Sequence, residues 1–159
     1  MPVSQQLTAE LILTNAQVIA LPTTSVQIVA AVPGAVLWPL FAHARLEWVA
    51  DYGNIDAGAV LQIRAGGTDT VLPLYQGLQS GVSGLLAGGG PDGSHAFFSP
   101  FLVGNGEAGG FGSYSNIYDS DVVNLPLTIQ IDNAAAGILN GGNAGNSIGL
   151  QVVYMVLPI

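Results

Sequence analysis

SIGLQVVYMVLPI, residues 147–159, is an extended run in which one face carries Ile148, Leu150, Val152, Tyr154 and Val156 and the other Gly149, Gln151, Val153, Met155 and Leu157. Side chains alternate across a strand, so a run that stays apolar on both faces beyond Gln151 is expected to be covered on both sides. A solvated terminus would fray. This one reads as a central strand, or as a strand covered by another subunit. Helical patterns are too few to supply the second cover, which leaves a second sheet or a partner chain.

Working back from this run, strand signals dominate. LPLTIQID (125–132) alternates Leu125, Leu127, Ile129 and Ile131 with Pro126, Thr128, Gln130 and Asp132. AVLQIRA (59–65) points Leu61 and Ile63 inward and Gln62 and Arg64 outward, and Gly66-Gly67 ends it. In AVLWPLFAHARLEWVA (35–50), Leu40, Ala42, Ala44, Leu46 and Trp48 share one face, with Phe41, His43, Arg45, Glu47 and Val49 on the other. Pro39 marks an edge, a bulge or the start of that strand. SVQIVAA (25–31) stops at the turn pair Pro33-Gly34, DYGN (51–54) reads as a turn, and a short strand is expected within 70–75. ELILTNAQVIAL (10–21) suits a strand, then a helical turn over Ala16 to Leu21 capped by Thr14 or Asn15 and ended by Pro22. A second helical turn is expected near Ala134 to Leu139.

The middle is different in kind. Eleven of the thirty-two residues from Gly81 to Gly112 are glycine. Glycine is costly to order, yet Phe97, Phe98, Phe101 and Phe111 are spread through the segment. It is either a solvated low-complexity loop or, as four phenylalanines suggest, an ordered excursion tacked down by its aromatics. The whole chain, 1–159, then reads as one all-β domain, a β-sandwich of jelly-roll type with a Gly/Phe-rich excursion at about 81–118. An immunoglobulin-like sandwich is the nearest competitor.

Charge is scarce. Charged residues make up 8% of the 159, with two arginines, no lysine, ten acids and a net charge of −8. A surface of amides, hydroxyls and glycine can be buried between subunits without the desolvation cost of ions. The acidic balance argues against nucleic acid, whose backbone requires clustered Lys and Arg. No apolar run reaches the length of a membrane helix, and MPVSQQLTAE lacks the basic head and apolar core of a secretion signal, so neither membrane insertion nor export is expected.

Candidate chemistry is thin. His43, Arg45 and Glu47 share a strand face; a catalytic reading would make His43 a base oriented by Glu47, but an exposed or interfacial ladder is the better account of the three. His95, near Asp92 in PDGSH, lacks a third ligand at suitable spacing. Asp119 and Asp121 in SNIYDSDVVN, and Asp51 and Asp56 in DYGNID, do not match the twelve-residue calcium loop, and Asx-turns explain both equally well. GLLAGGGPDG has neither the lysine nor the spacing of a phosphate loop. Trp38 and Trp48 read as core or interface anchors. No catalytic residue, metal or cofactor is expected.

Three stretches carry a resemblance: LTNAQVIALPTTSVQIVAAVPG (13–34), LEWVADYGNIDAGAVLQI (46–63) and the closing SIGLQVVYMVLPI. Together they resemble small structural proteins encoded near the capsid genes of tailed bacteriophages. In those proteins an LTNAQIxALPTTP opening precedes an apolar strand, a YTNIDA-like turn and a valine-rich terminal strand. Leu13 to Gln17 and Ala20 to Thr24 match the opening, and Asn54 to Ala57 match the turn; Ser25 replaces the usual Pro and Gly53 the usual Thr. The resemblance implies a virion component, a capsid decoration (cement) protein made in the host bacterial cytoplasm. It would seat on the capsid surface as a homotrimer and clamp major capsid protein subunits. The alternative is a tail-fibre or receptor-binding module gripping a host glycan or protein through residues 105–118. Residues expected to form the interface are Phe97, Phe98, Phe101, Phe111, Tyr114, Val153 and Met155.

Overall fold

The closing run is a central strand. In the computed structural model, which describes residues 6–56, 59–66, 73–76, 86, 94–98, 123–132 and 137–159, β10 (Ser147–Pro158) lies between β1 (Gln6–Thr14) and β3 (Ala35–Glu47). It is antiparallel to both. Ile148, Leu150, Val152 and Tyr154 are buried, as the alternation requires. The backbone N–H of Ile159 also donates to the Gly34 carbonyl at 3.1 Å, which ties the last residue to the Pro33-Gly34 turn. Gly34 has a φ of 69°, a left-handed conformation that costs glycine nothing.

The remaining strands are β2 (Val26–Val29), β4 (Tyr52–Gly53), β5 (Val60–Ala65), β6 (Pro73–Gln76), β7 (Ser94–Phe98), β8 (Leu127–Asp132) and β9 (Asn140–Gly141). Two four-stranded sheets result, ordered β1-β10-β3-β7 and β2-β8-β5-β6, while β4 and β9 pair with each other. All these ladders are antiparallel. Setting the β4–β9 pair aside, the longer strands pair concentrically. The first joins the last (β1–β10), the second the penultimate (β2–β8), and so inward through β3–β7 to β5–β6.

The sheets face each other over one core. Ala42, Ala44, Leu46, Ile148, Leu150 and Val152 from the first sheet belong to the same buried cluster as Leu61, Ile63, Leu127, Ile129 and Ile131 from the second. Burying each of the larger side chains contributes about 1.5–3 kcal/mol relative to exposure. The protein is therefore an all-β sandwich. Leu86, from the glycine-rich stretch, is 1% exposed and joins this core.

The helix starts one residue before the expected span of Ala16 to Leu21, and Thr14 is its cap. In α1 (Asn15–Ala20) the Thr14 side chain accepts from the Gln17 amide while the Gln17 side chain accepts from the Thr14 N–H, a reciprocal capping box. Val18 and Leu21 are fully buried, so LTNAQVIAL closes the end of the sandwich between β1 and β2.

Three expectations change. The ladder between β3 and β10 shifts where Val153 faces Phe41 but Tyr154 faces Pro39, so Leu40 is an extra, unpaired residue. This is the bulge option for Pro39, and it reverses the parity of the strand: Leu37 and Pro39 take inward places that simple alternation assigns to Leu40 and its even-numbered series. Gln62 is not solvent-facing; it is 3% exposed, opposite Gln130. Arg64 satisfies both amide oxygens, its Nε donating to Gln62 Oε1 at 2.7 Å and its Nη1 to Gln130 Oε1 at 2.8 Å, while Gln130 Nε2 donates to the Pro22 carbonyl at 3.3 Å. A buried polar row is tolerated because it is hydrogen-bonded. Lastly, DYGN is partly extended, since Tyr52 and Gly53 pair with Gly141 and Asn140. The positive φ of Asn54 (60°) supplies the bend. The helical turn expected near 134–139 falls mostly outside the described residues, and Gly137 to Leu139 are not helical.

Candidate interaction surface

Register places the outward side chains of the first sheet in rows, because directly paired residues share a face. Gln6, Met155 and Trp38 form one row; Thr8, Val153 and Phe41 the next. Then follow Glu10, Gln151 and His43, with Phe97 at the next register position; Ile12, Gly149 and Arg45, with His95 next; and Thr14, Ser147 and Glu47. The result is a graded surface, apolar and aromatic at one end and charged at the other.

At the charged end, Arg45 Nη1 lies 2.7 Å from Glu47 Oε1, with side chains 48% and 55% exposed. A pair this solvated contributes little to stability. It also engages Glu47, which a catalytic His43 would need as its orienting group. Gln151 Nε2 donates to Glu10 Oε1 at 3.1 Å. Gly149 offers no side chain between Ile12 and Arg45, and a hollow of about 410 Å³ opens there, lined by Glu10, Leu11, Ile12, His43, Gly149, Leu150 and Gln151. Ile12 is 72% exposed, and Phe41 is exposed as well.

Of the expected interface residues, Val153 and Met155 are half-buried on this surface. Phe97 and Phe98 belong to β7 at register positions opposite His43 and Ala42. Phe101, Phe111 and Tyr114 lie outside the described residues, as do Asp92, Asp119 and Asp121. Glu10, Ile12 and Thr8 were not singled out from the sequence, although the alternation of Leu7, Ala9, Leu11 and Leu13 with Thr8, Glu10 and Ile12 marks them as outward. Asp51 is engaged, accepting from Trp48 Nε1 at 2.8 Å. Among the described residues no group of three His, Asp or Glu side chains is close enough to hold a metal ion. No described helix is long and apolar enough to cross a membrane.

Beside this surface, at the end of the sandwich, Tyr52 is 3% exposed and its hydroxyl has no hydrogen-bond partner of normal geometry. Burial raises its pKa above the ordinary 10.0, and the neighbouring Asn146 side chain pulls weakly the other way. The folded state thus holds the phenolic proton more tightly than the unfolded chain. Stability supplied by this group is complete below the unfolded pKa of about 10 and declines as pH rises toward the higher folded value. Tyr52→Phe is expected to be neutral or stabilising by about 1 kcal/mol at pH 7, because it removes an unsatisfied buried group. It should also flatten the loss of stability above about pH 10. Urea titrations of both proteins at pH 7 and pH 11 check this; a large loss at pH 7 would mean the hydroxyl is bonded.

No protein-family model, curated protein or solved structure matches the chain.

Proposed function

We propose that the protein is a structural component of a bacteriophage virion, a decoration protein that seats on the head as a homotrimer and clamps neighbouring major capsid protein subunits. The observation that carries this reading is the outward surface of the first sheet. It presents Ile12, Phe41, Val153, Met155 and Trp38 in register on a rigid support, in a chain with only twelve charged residues, two basic and ten acidic. The LTNAQ…LPTT resemblance points the same way, and its residues form the capped corner between β1 and β2. The concentric strand pairing supports a jelly roll as the finer description of the sandwich.

Size favours an oligomer. Nine residues of β1 at about 3.4 Å each, across three strands about 4.8 Å apart, make a patch of about 400 Å². A stable interface takes about 800 Å² from each partner. One copy falls short, whereas three copies held together gain from effective concentration. No catalysis is invoked; the mechanism is burial of a neutral and apolar surface across shell seams.

The test is to mix the purified chain with phage heads lacking it. A trimer by light scattering that co-sediments with heads, with affinity nearly independent of salt between 50 and 500 mM (about a threefold change at most), is the expected result, since few charges take part. A monomer that stays in the supernatant would overturn it.

A further inference from the structure

We propose that the open edge of β1 is a docking site for an extended strand of a partner polypeptide, one that alternates apolar and polar residues and places a neutral or basic residue opposite Glu10. This stands apart from the virion reading and holds whatever assembly the protein serves.

Four strands end the two sheets, and three are poor templates. β2 and β6 have four residues each, both with an irregular register, and β6 opens on Pro73. β7 has five residues. β1 has nine, in unbroken register with β10 from Gln6 to Thr14, without proline, lysine or bulge. Among the described residues it pairs with β10 alone. Among the described residues, no strand takes the backbone N–H and C=O groups of β1 that point away from β10, the groups another extended chain would pair with.

The inner side of β1 is also incomplete. Leu7, Ala9 and Leu11 are only half-buried, while the residues paired with Ala9 and Leu11 in β10, Val152 and Leu150, are buried. Among the described residues, β2 sets four residues against the nine of β1. An added strand with apolar residues inward would cover Leu7, Ala9 and Leu11, and its outward residues would line up with Thr8, Glu10 and Ile12.

Charge disfavours a second copy at full overlap. Antiparallel self-pairing of residues 6–14 at full overlap sets Glu10 against Glu10, and like charges directly opposite are destabilising. Glu10 is the lone charge on this edge and acts as a guard against self-pairing; the same carboxylate favours a basic residue across from it.

Nine-residue peptides alternating threonine and valine, with lysine or glutamate at the centre, test this on the full chain by amide exchange and titration. The lysine peptide should slow exchange along Gln6 to Thr14 and bind about threefold to tenfold more tightly than the glutamate peptide. Two further lysine peptides, N-methylated on one or the other alternate set of residues, should differ. The peptide whose methyl groups face the protein should fail to bind, while the other should retain affinity. Absence of protection on β1, equal binding by both methylated peptides, or equal binding by the lysine and glutamate peptides would each overturn the proposal. So would protection of β1 that rises with protein concentration without peptide, which would assign the edge to a second copy.

Discussion

Val152→Asp is expected to leave no folded protein, whereas Val153→Asp, one residue along the same strand, should fold and fail to assemble. Val152 is 0% exposed in the centre of the first sheet, facing the core between Leu150 and Tyr154. A carboxylate there has no partner, and burying it costs several kcal/mol even after relaxation, on top of the lost apolar burial. Total stability of a domain is about 5–15 kcal/mol, so the expected loss takes most or all of it. Val153 lies on the outward face beside Thr8 and Phe41. An aspartate there reaches water in the isolated chain and should cost about 1–2 kcal/mol, for lost strand propensity and partial apolar burial. In an assembly that covers this face it becomes a buried charge, and the affinity for heads should fall at least a hundredfold. Circular dichroism and co-sedimentation separate the two effects. If Val153→Asp binds heads like the parent chain, this face is not the contact.

The second large effect is expected at Asn146, which is 1% exposed. Its Oδ1 accepts from the amides of Val49 at 2.8 Å and Ala50 at 3.1 Å, and its Nδ2 donates to the Ala50 carbonyl at 2.7 Å. One side chain thereby satisfies the backbone that leaves β3 and holds it against the start of β10. Asn146→Ala should lower unfolding free energy by about 2–4 kcal/mol, since it breaks these bonds and leaves partly buried groups unpaired. Asn146→Asp separates donor from acceptor. The new carboxylate still accepts from both amides, but it meets the Ala50 carbonyl without a proton to share. Its folded pKa is then raised, so the variant should be most stable below about pH 4 and weaken as pH rises through the folded value. Urea midpoints at pH 3.5 and pH 7 report the difference; an alanine variant as stable as the parent would show that water replaces the amide at no cost.

Much of this was legible in the residues. The helix cap at Thr14 (one of the two caps expected), the turn at Pro33-Gly34, and the inward faces of LTIQID, VLQIRA and SIGLQVVYMVLPI depend on neighbours in sequence, and local geometry decides them. Gln62 was misleading because a polar residue in an alternating strand ordinarily meets water. Here Gln130, sixty-eight residues away in sequence, meets it instead, with Arg64 completing the network. The outward surface was half visible: Val153 and Met155 stood out, but Ile12 and Glu10 could be linked to them only once β1 was known to pair with β10.

The amino-acid pattern alone determined that this is an all-β chain and which residues of the last run face the same way. Alternation fixes relative facing within a strand because successive side chains must point in opposite directions. Which strands lie side by side, the bulge at Leu40 that reverses the parity of β3, and the open edge at β1 were decided by tertiary structure. These depend on sums of contacts between segments far apart in the chain, and no single segment carries that information.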